Sequence, residues 1–330
     1  MDSKLFLFEV LYALAARGGR EAVLFGDSMP AAREAFSHSL IGPKFPEVWF
    51  ELPFSGEPWF DLHALSESCE PPQAGSAPIA TDATVDPALL KWYAGAQGVR
   101  QLALSWDTGS GCADEPAIQL LVKTRDPQVT CDFLQAVGQP DAVPRYRAFR
   151  ERVPRGWFPC YTGVFPSRPD VGLRVECIPS DEEQRVYAAD PSALERDLRQ
   201  VGLENLAGTI IPRCHQLLQY PLPIEFQLNV LPNGTVGTTF SASVRFNAPP
   251  GDEAWAAYDV DGATGALMQQ VEQWGLTDNR WRTLGDAIFV KRISRGDAHM
   301  TLYCYPAFLK LRWRDGEPVD AKAYLIAGVQ

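Results

Sequence analysis

Ile224-Glu225-Phe226-Gln227-Leu228-Asn229-Val230, then Asn233-Gly234, then Phe240-Ser241-Ala242-Ser243-Val244-Arg245: this stretch decides the fold. Apolar and polar residues alternate with a period of two on both sides of the turn. Successive side chains of a strand point to opposite faces, so each strand has one apolar and one polar face. Asn-Gly is the strongest short hairpin signal, because the tight turn it favours needs positive φ at both central positions. The stretch therefore reads as a β-hairpin covered on one side only.

Working outward, segments 45–65, 100–124, 156–178 and 300–327 read as further strand pairs, the last turning at Asp315-Gly316. Ser55-Gly56-Glu57-Pro58 in the first pair echoes Asp315-Gly316-Glu317-Pro318 in the last. Helix-like runs precede the pairs. Asp86-Pro87, Asp126-Pro127 and Asp190-Pro191 each place a capping carboxylate before a proline, whose missing N–H is harmless at the first helical position. Runs at 31–41, 88–93, 131–153 (interrupted by Gly138 and Pro140), 192–220 and 265–284 complete the rhythm helix, strand, strand, five times over. Ten strands in five hairpins are expected to close into one antiparallel barrel with helices outside, an α+β fold filling residues 1–330 as a single domain. The stretch 70–86, rich in Pro, Ala, Ser and Thr, reads as a surface loop.

With 330 residues, 46% of them hydrophobic, the chain has ample material for a core. A net charge of −11 argues against binding nucleic acid or an anionic membrane through the bulk surface. The apolar run at 5–16 has Lys4 as the only cation before it, is intruded on by Asp2 and Glu9 and continues as a helix, so it is read as mature structure rather than a signal peptide. Nowhere do about 18 apolar residues run on without interruption. Seven scattered cysteines, an odd number, point to reduced thiols in a cytoplasm.

With helices outside, the polar strand faces line the lumen. Alternation puts Glu225, Gln227, Asn229, Ser241, Ser243 and Arg245 there, with Gln119 and Lys123, Arg174 and Glu176, and Trp49, Glu51, Asp61 and His63. Phe308, Lys310 and Arg312 share a face of the last pair, joined by Tyr303, Tyr305, Lys322 and Tyr324, while Tyr161 or its neighbours face inward from the third. Buried unpaired ions cost several kcal/mol each, so these cations need the carboxylates Glu51, Asp61, Glu176 and Glu225 or an anionic ligand. The competing reading is an open sheet whose polar face meets water.

This arrangement resembles the ABBA aromatic prenyltransferases, whose fold is a ten-stranded antiparallel barrel (the PT barrel) built from αββα repeats. The resemblance spans residues 31–327 and rests on element order, length and lumen chemistry, with no diagnostic string. It implies a prenyltransferase that moves a prenyl group from an allylic diphosphate, dimethylallyl or geranyl, to an electron-rich aromatic or a modified-peptide side chain. It further implies diphosphate binding by Lys123, Arg174, Arg245, Lys310, Arg312 and Lys322, and shielding of the allylic cation by Tyr161, Tyr303, Tyr305 and Tyr324. Glu51 is the first choice and Asp61 the second for a carboxylate that orients the acceptor and takes its proton. An ion pair between Glu51 and a lumen cation is the structural alternative. Lys322-Ala323-Tyr324 has the family's cation-x-tyrosine spacing; Lys123-Thr124-Arg125 and Arg245-Phe246-Asn247 do not. Magnesium use varies in the family, and Asp61 is the residue to place such an ion.

Other motifs carry less. Gly109-Ser110-Gly111 lacks the ending of a phosphate loop. Asp259, Asp261 and Gly262 lack the later ligands of a calcium loop and read as a turn. Asp181-Glu182-Glu183 reads as part of a loop, and Trp274 and Trp281 as packing residues on one helix. Two readings from other classes stand beside the enzyme: a barrel that binds an anionic lipid or peptide without chemistry, and an open-sheet assembly protein. The first is favoured if Glu51 and Asp61 point away from the lumen.

Overall fold

The computed structural model describes residues 3–37, 47–67, 86–110, 115–204, 208–246, 260–295 and 298–330, with Leu206 and Tyr258. The loop expected at 70–86, Asp86 apart, and Cys69, Cys112 and Asp259 lie outside the described residues. The strands are β1 (Glu47–Pro53), β2 (Asp61–Glu67), β3 (Val99–Trp106), β4 (Ala117–Val122), β5 (Trp157–Val164) and β6 (Leu173–Pro179). They continue with β7 (Ile224–Val230), β8 (Val236–Arg245), β9 (Phe289–Arg295), β10 (Ala298–Arg314) and β11 (Glu317–Val329).

Each of β1 to β7 pairs antiparallel with the next, β8 pairs with β10, β10 with β11, and β11 returns to β1 with Tyr324 opposite Glu51. The ten-stranded sheet is closed, which removes the open-sheet reading. The eleventh strand, β9, was not expected. It pairs with Ala298–Cys304 of β10, on the edge that β8 occupies further along at Phe308–Arg314. Seventeen residues long, β10 has room for both partners.

Helices cover the outside because the outward side chains are apolar. Leu62, Leu104, Leu120, Val175, Phe226, Phe240, Leu309 and Trp313 are all fully buried. Trp157, Phe226, Phe240 and Trp313 form a continuous aromatic line with neighbouring centroids 5.3, 5.6 and 5.7 Å apart. Burying each large apolar side chain contributes roughly 1.5–3 kcal/mol, so this outer layer holds the sheet closed. The caps act as the sequence indicates. Asp86, Asp126 and Asp190 accept from the N–H groups of Ala88, Gln128 and Ser192 at 2.7, 2.9 and 2.9 Å.

Four local expectations are corrected. Trp274 and Trp281 do not share one helix, because the run at 265–284 divides into an α-helix, Ala263–Gln273, and a 3-10 helix, Asn279–Ala287. Asp181-Glu182-Glu183 opens a helix, Asp181–Ala189, with the Ser180 hydroxyl accepting from the Glu183 N–H at 3.3 Å. Ser180 and Glu183 have the spacing of a capping box. Asn233-Gly234 is not the two-residue turn: of the pair only Gly234 has positive φ, and Leu231 N–H donates to Thr235 O across a wider loop. Asp315-Gly316, with φ 54° and 86°, makes the tight hairpin instead. The run at 192–220 is two helices, Pro191–Gln200 and Ile210–Leu217.

Among the described residues no helix is long and apolar enough to cross a membrane. Five cysteines, Cys131, Cys160, Cys177, Cys214 and Cys304, are free thiols.

Candidate functional site

The inward faces of the strands meet in two adjoining chambers of about 670 and 650 Å³, their openings to solvent included. Glu51, His63, Gln119, Arg174, Gln227 and Lys310 stand in the walls of both. The first chamber is ionic, adding Asp61, Asp107, Arg168, Arg312, Asp320 and Lys322. The second is aromatic and apolar, adding Trp49, Leu65, Leu121, Tyr161, Phe308 and Tyr324, with Cys160, Glu176, Glu225, Ser243 and Arg245.

A period of two explains how one lumen has two halves. On β10, Phe308 lies in the aromatic half, Lys310 between the halves and Arg312 in the ionic half. On β11, Tyr324 and Lys322 make the same step. A bulge between Pro306 and Phe308 keeps Tyr303 and Tyr305 on the lumen side of β10 despite their odd spacing from Phe308. Those two tyrosines nevertheless lie beyond the chamber walls. Tyr305 pairs in register with Ile326, opposite Trp49, and Tyr303 donates to Glu47 Oε2 at 3.4 Å.

In the ionic half most charges are matched. Lys322 Nζ lies 3.0 Å from Glu51 Oε1 and 3.3 Å from Asp61 Oδ2, with the Trp59 ring centroid 4.9 Å away. Arg312 grips Asp320 with two hydrogen bonds, and Arg168 pairs with Asp107 at 3.1 Å. Glu51 Oε2 accepts from His63 Nε2 at 2.9 Å, and His63 Nδ1 meets the Ser105 hydroxyl at 2.6 Å. Burial alone would raise the Glu51 carboxyl, but the Lys322 ammonium, the His63 hydrogen bond and Lys310 hold it well below the usual range. Burial raises Asp61, and the Glu51 charge adds to this against the pull of Lys322. Glu51 is thus the more firmly ionised of the pair.

Lys310 and Arg174 differ from these. Neither makes an ion pair among the described residues. Lys310 Nζ donates to Tyr324 Oη at 3.5 Å, and Arg174 donates to Asn229 Oδ1 at 3.5 Å while stacking 4.3 Å from the Phe165 centroid. Burial lowers the Lys310 ammonium to about 8 against the pull of Glu51. Burial and the Glu51 carboxylate raise the Tyr324 phenol well above its ordinary value, so it stays neutral. Tyr324 stacks on Phe308 with centroids 4.1 Å apart, and Trp49 meets both rings edge-on at 6.2 and 5.4 Å.

Of the residues singled out in the sequence, Glu51, Asp61, Arg174, Arg245, Lys310, Arg312, Lys322, Tyr161 and Tyr324 come together in these walls. Lys123 does not. Strand β4 ends at Val122, and the exposed Lys123 donates its backbone N–H to Gly98 O outside the lumen. Tyr303 and Tyr305 are displaced as described. Ser105, Asp107, Arg168 and Asp320 were missed; Ser105 had a signal in the alternation of Gln101, Ala103 and Ser105 with Leu102, Leu104 and Trp106, and Asp320 in its period-two spacing from Lys322 and Tyr324, whereas Asp107 and Arg168 lie outside the strands. Magnesium does not fit the arrangement at Asp61, because the Lys322 ammonium stands between Asp61 and Glu51. Among the described residues no three His, Cys, Asp or Glu side chains gather as metal ligands would.

No family model matches this chain, and no curated protein matches it.

Proposed function

We propose that the protein is a cytoplasmic prenyltransferase that binds an allylic diphosphate in the ionic half of the lumen and an electron-rich acceptor in the aromatic half. One observation carries this reading. Lys310 and Arg174, the two lumen cations without a carboxylate partner among the described residues, stand where the two chambers meet. Unpaired buried cations cost several kcal/mol each, and a dianionic diphosphate offsets that cost. Glu51 and Asp61 both face the lumen, which favours chemistry over binding alone.

The steps follow from the positions. Lys310 and Arg174 take up the negative charge of the departing diphosphate as the allylic carbon–oxygen bond breaks. The allylic cation faces Tyr324, Tyr161, Trp49 and Phe308, whose ring faces stabilise it by about 2 kcal/mol or more when water is excluded. The acceptor carbon attacks, and the resulting ring cation passes its proton to Glu51. That cation is far more acidic than a carboxylic acid, so a carboxylate held low still accepts the proton. His63, anchored by Ser105, orients Glu51.

Calorimetric titration with dimethylallyl and geranyl thiodiphosphates, with and without magnesium, tests the donor half. Saturable binding is expected, weaker by roughly 10- to 100-fold in Lys310→Ala, the value of one or two hydrogen bonds to a charged group. Absence of binding by wild type, or undiminished binding by a Lys310→Ala/Arg174→Ala double variant, overturns the assignment.

A further inference from the structure

The aromatic chamber holds a polar group that the donor chemistry leaves unused. Glu176 on β6 and Glu225 on β7 both line it, near enough that the Glu176 charge bears on Glu225. Gln227 donates to Glu176 Oε2 at 3.1 Å, and Arg245 pairs with Glu225 Oε1 from a half-exposed position. Neighbouring carboxyl groups cannot both ionise freely, because each negative charge raises the other. In the protein alone burial and the Glu176 charge raise the Glu225 carboxyl against the pull of Arg245, which favours a proton on Glu225.

A second observation is independent of the first. Ser243 on β8 is the register partner of Glu225, lines the same chamber and is 1% exposed. Its hydroxyl oxygen has no hydrogen-bond partner. A buried hydroxyl left unpaired costs about 1–3 kcal/mol, and a donor arriving in the chamber removes that cost.

We infer that Glu176, Glu225 and Ser243 form a binding site for a protonated nitrogen carried on an aromatic ligand. An ammonium has three N–H donors, and these three residues supply an acceptor for each. The rest of the ligand would lie against Trp49, Tyr161 and Phe308, whose faces also favour a cation. The ligand's proton-bearing nitrogen replaces the Glu225 proton, which leaves to solvent, so the local charge is unchanged. Among the described residues the other charged or titratable groups of this chamber are Arg174 from β6, Cys160 and Tyr161 from β5, Arg245 from β8, Lys310 from β10, Tyr324 from β11, Glu51 from β1 and His63 from β2. Arg245 is already engaged by Glu225, and Lys310 is turned to Tyr324. The inference deepens the proposed function by naming the acceptor's class, a basic aromatic amine, and rests on that reading only for the role of acceptor.

The test uses no prenyl donor, so its failure and that of the proposed reaction are separable. Tryptamine and tryptophol share an indole and differ in ammonium against hydroxyl. Calorimetric titration of the full chain at pH 7 is expected to show tryptamine binding at least 10-fold more tightly. Glu176→Gln should bring the two ligands within about 3-fold, with Glu225→Gln as a second route to the same result. Equal affinities in the wild type, tighter binding of tryptophol, or no binding of either overturns the inference without recourse to any variant. Discrimination surviving in both folded variants overturns the residue assignment.

Discussion

The two halves of one lumen deal with charge in opposite ways. In the ionic half Lys322, Arg312 and Arg168 each hold a carboxylate, so the protein is its own counter-ion. Where that half meets the aromatic one, Lys310 and Arg174 are left to a hydroxyl, an amide and a ring face. A matched buried charge is part of the scaffold, and removing its partner is destructive. An unmatched one burdens the free protein and is useful only to a ligand.

The sharpest way to break this contrast is to neutralise one charge of each kind. Glu51→Gln leaves Lys322 with Asp61 alone and His63 without its anion, and urea unfolding at pH 7 should show a loss of about 3 kcal/mol. Lys310→Met should do the reverse, raising stability by about 2 kcal/mol at the same pH because a buried cation without a carboxylate is replaced by an apolar chain. Equal and like-signed effects would erase the distinction between the halves.

The pH dependence sharpens it. Lys310 is lowered to about 8 from an ordinary value of 10.5, so between those limits the unfolded chain binds more protons than the folded one. The Lys310 contribution to stability therefore rises with pH across that window, and the advantage of Lys310→Met should shrink from pH 8 to 10.5. An advantage constant over that range would show that the ammonium is not desolvated. Donor affinity should fall over the same range as the charge is lost. The smallest effect belongs to the aromatic half: Ser243→Ala deletes an unpaired buried hydroxyl and should raise stability by about 1 kcal/mol in thermal or urea unfolding.

Much of the barrel was legible in the sequence because alternation and Asp-Pro caps are local signals. Glu225, Gln227, Ser241 and Ser243 could be placed on one face without any partner strand. The errors arise where a local period is carried past its end or depends on distant chain. Lys123 continues the spacing of Gln119 and Leu121, but β4 has already ended. The bond between His63 and Ser105 depends on the register of β2 against β3, 42 residues apart, which no local pattern states. That Lys310 lacks a carboxylate partner while Lys322 has two is likewise a matter of register, since both residues look alike in sequence. Strand β9 escaped notice because Phe289-Val290-Lys291-Arg292-Ile293 alternates poorly.

That eleventh strand has a consequence for how molecules of this protein meet. A closed barrel offers no row of free backbone groups to a neighbour, yet among the described residues β9 is paired on one side only, by β10. Lys291 and Arg292 are exposed on this short strand, beside the exposed Ile293. A lysine such as Lys291 on so short an edge disfavours a second copy approaching strand to strand.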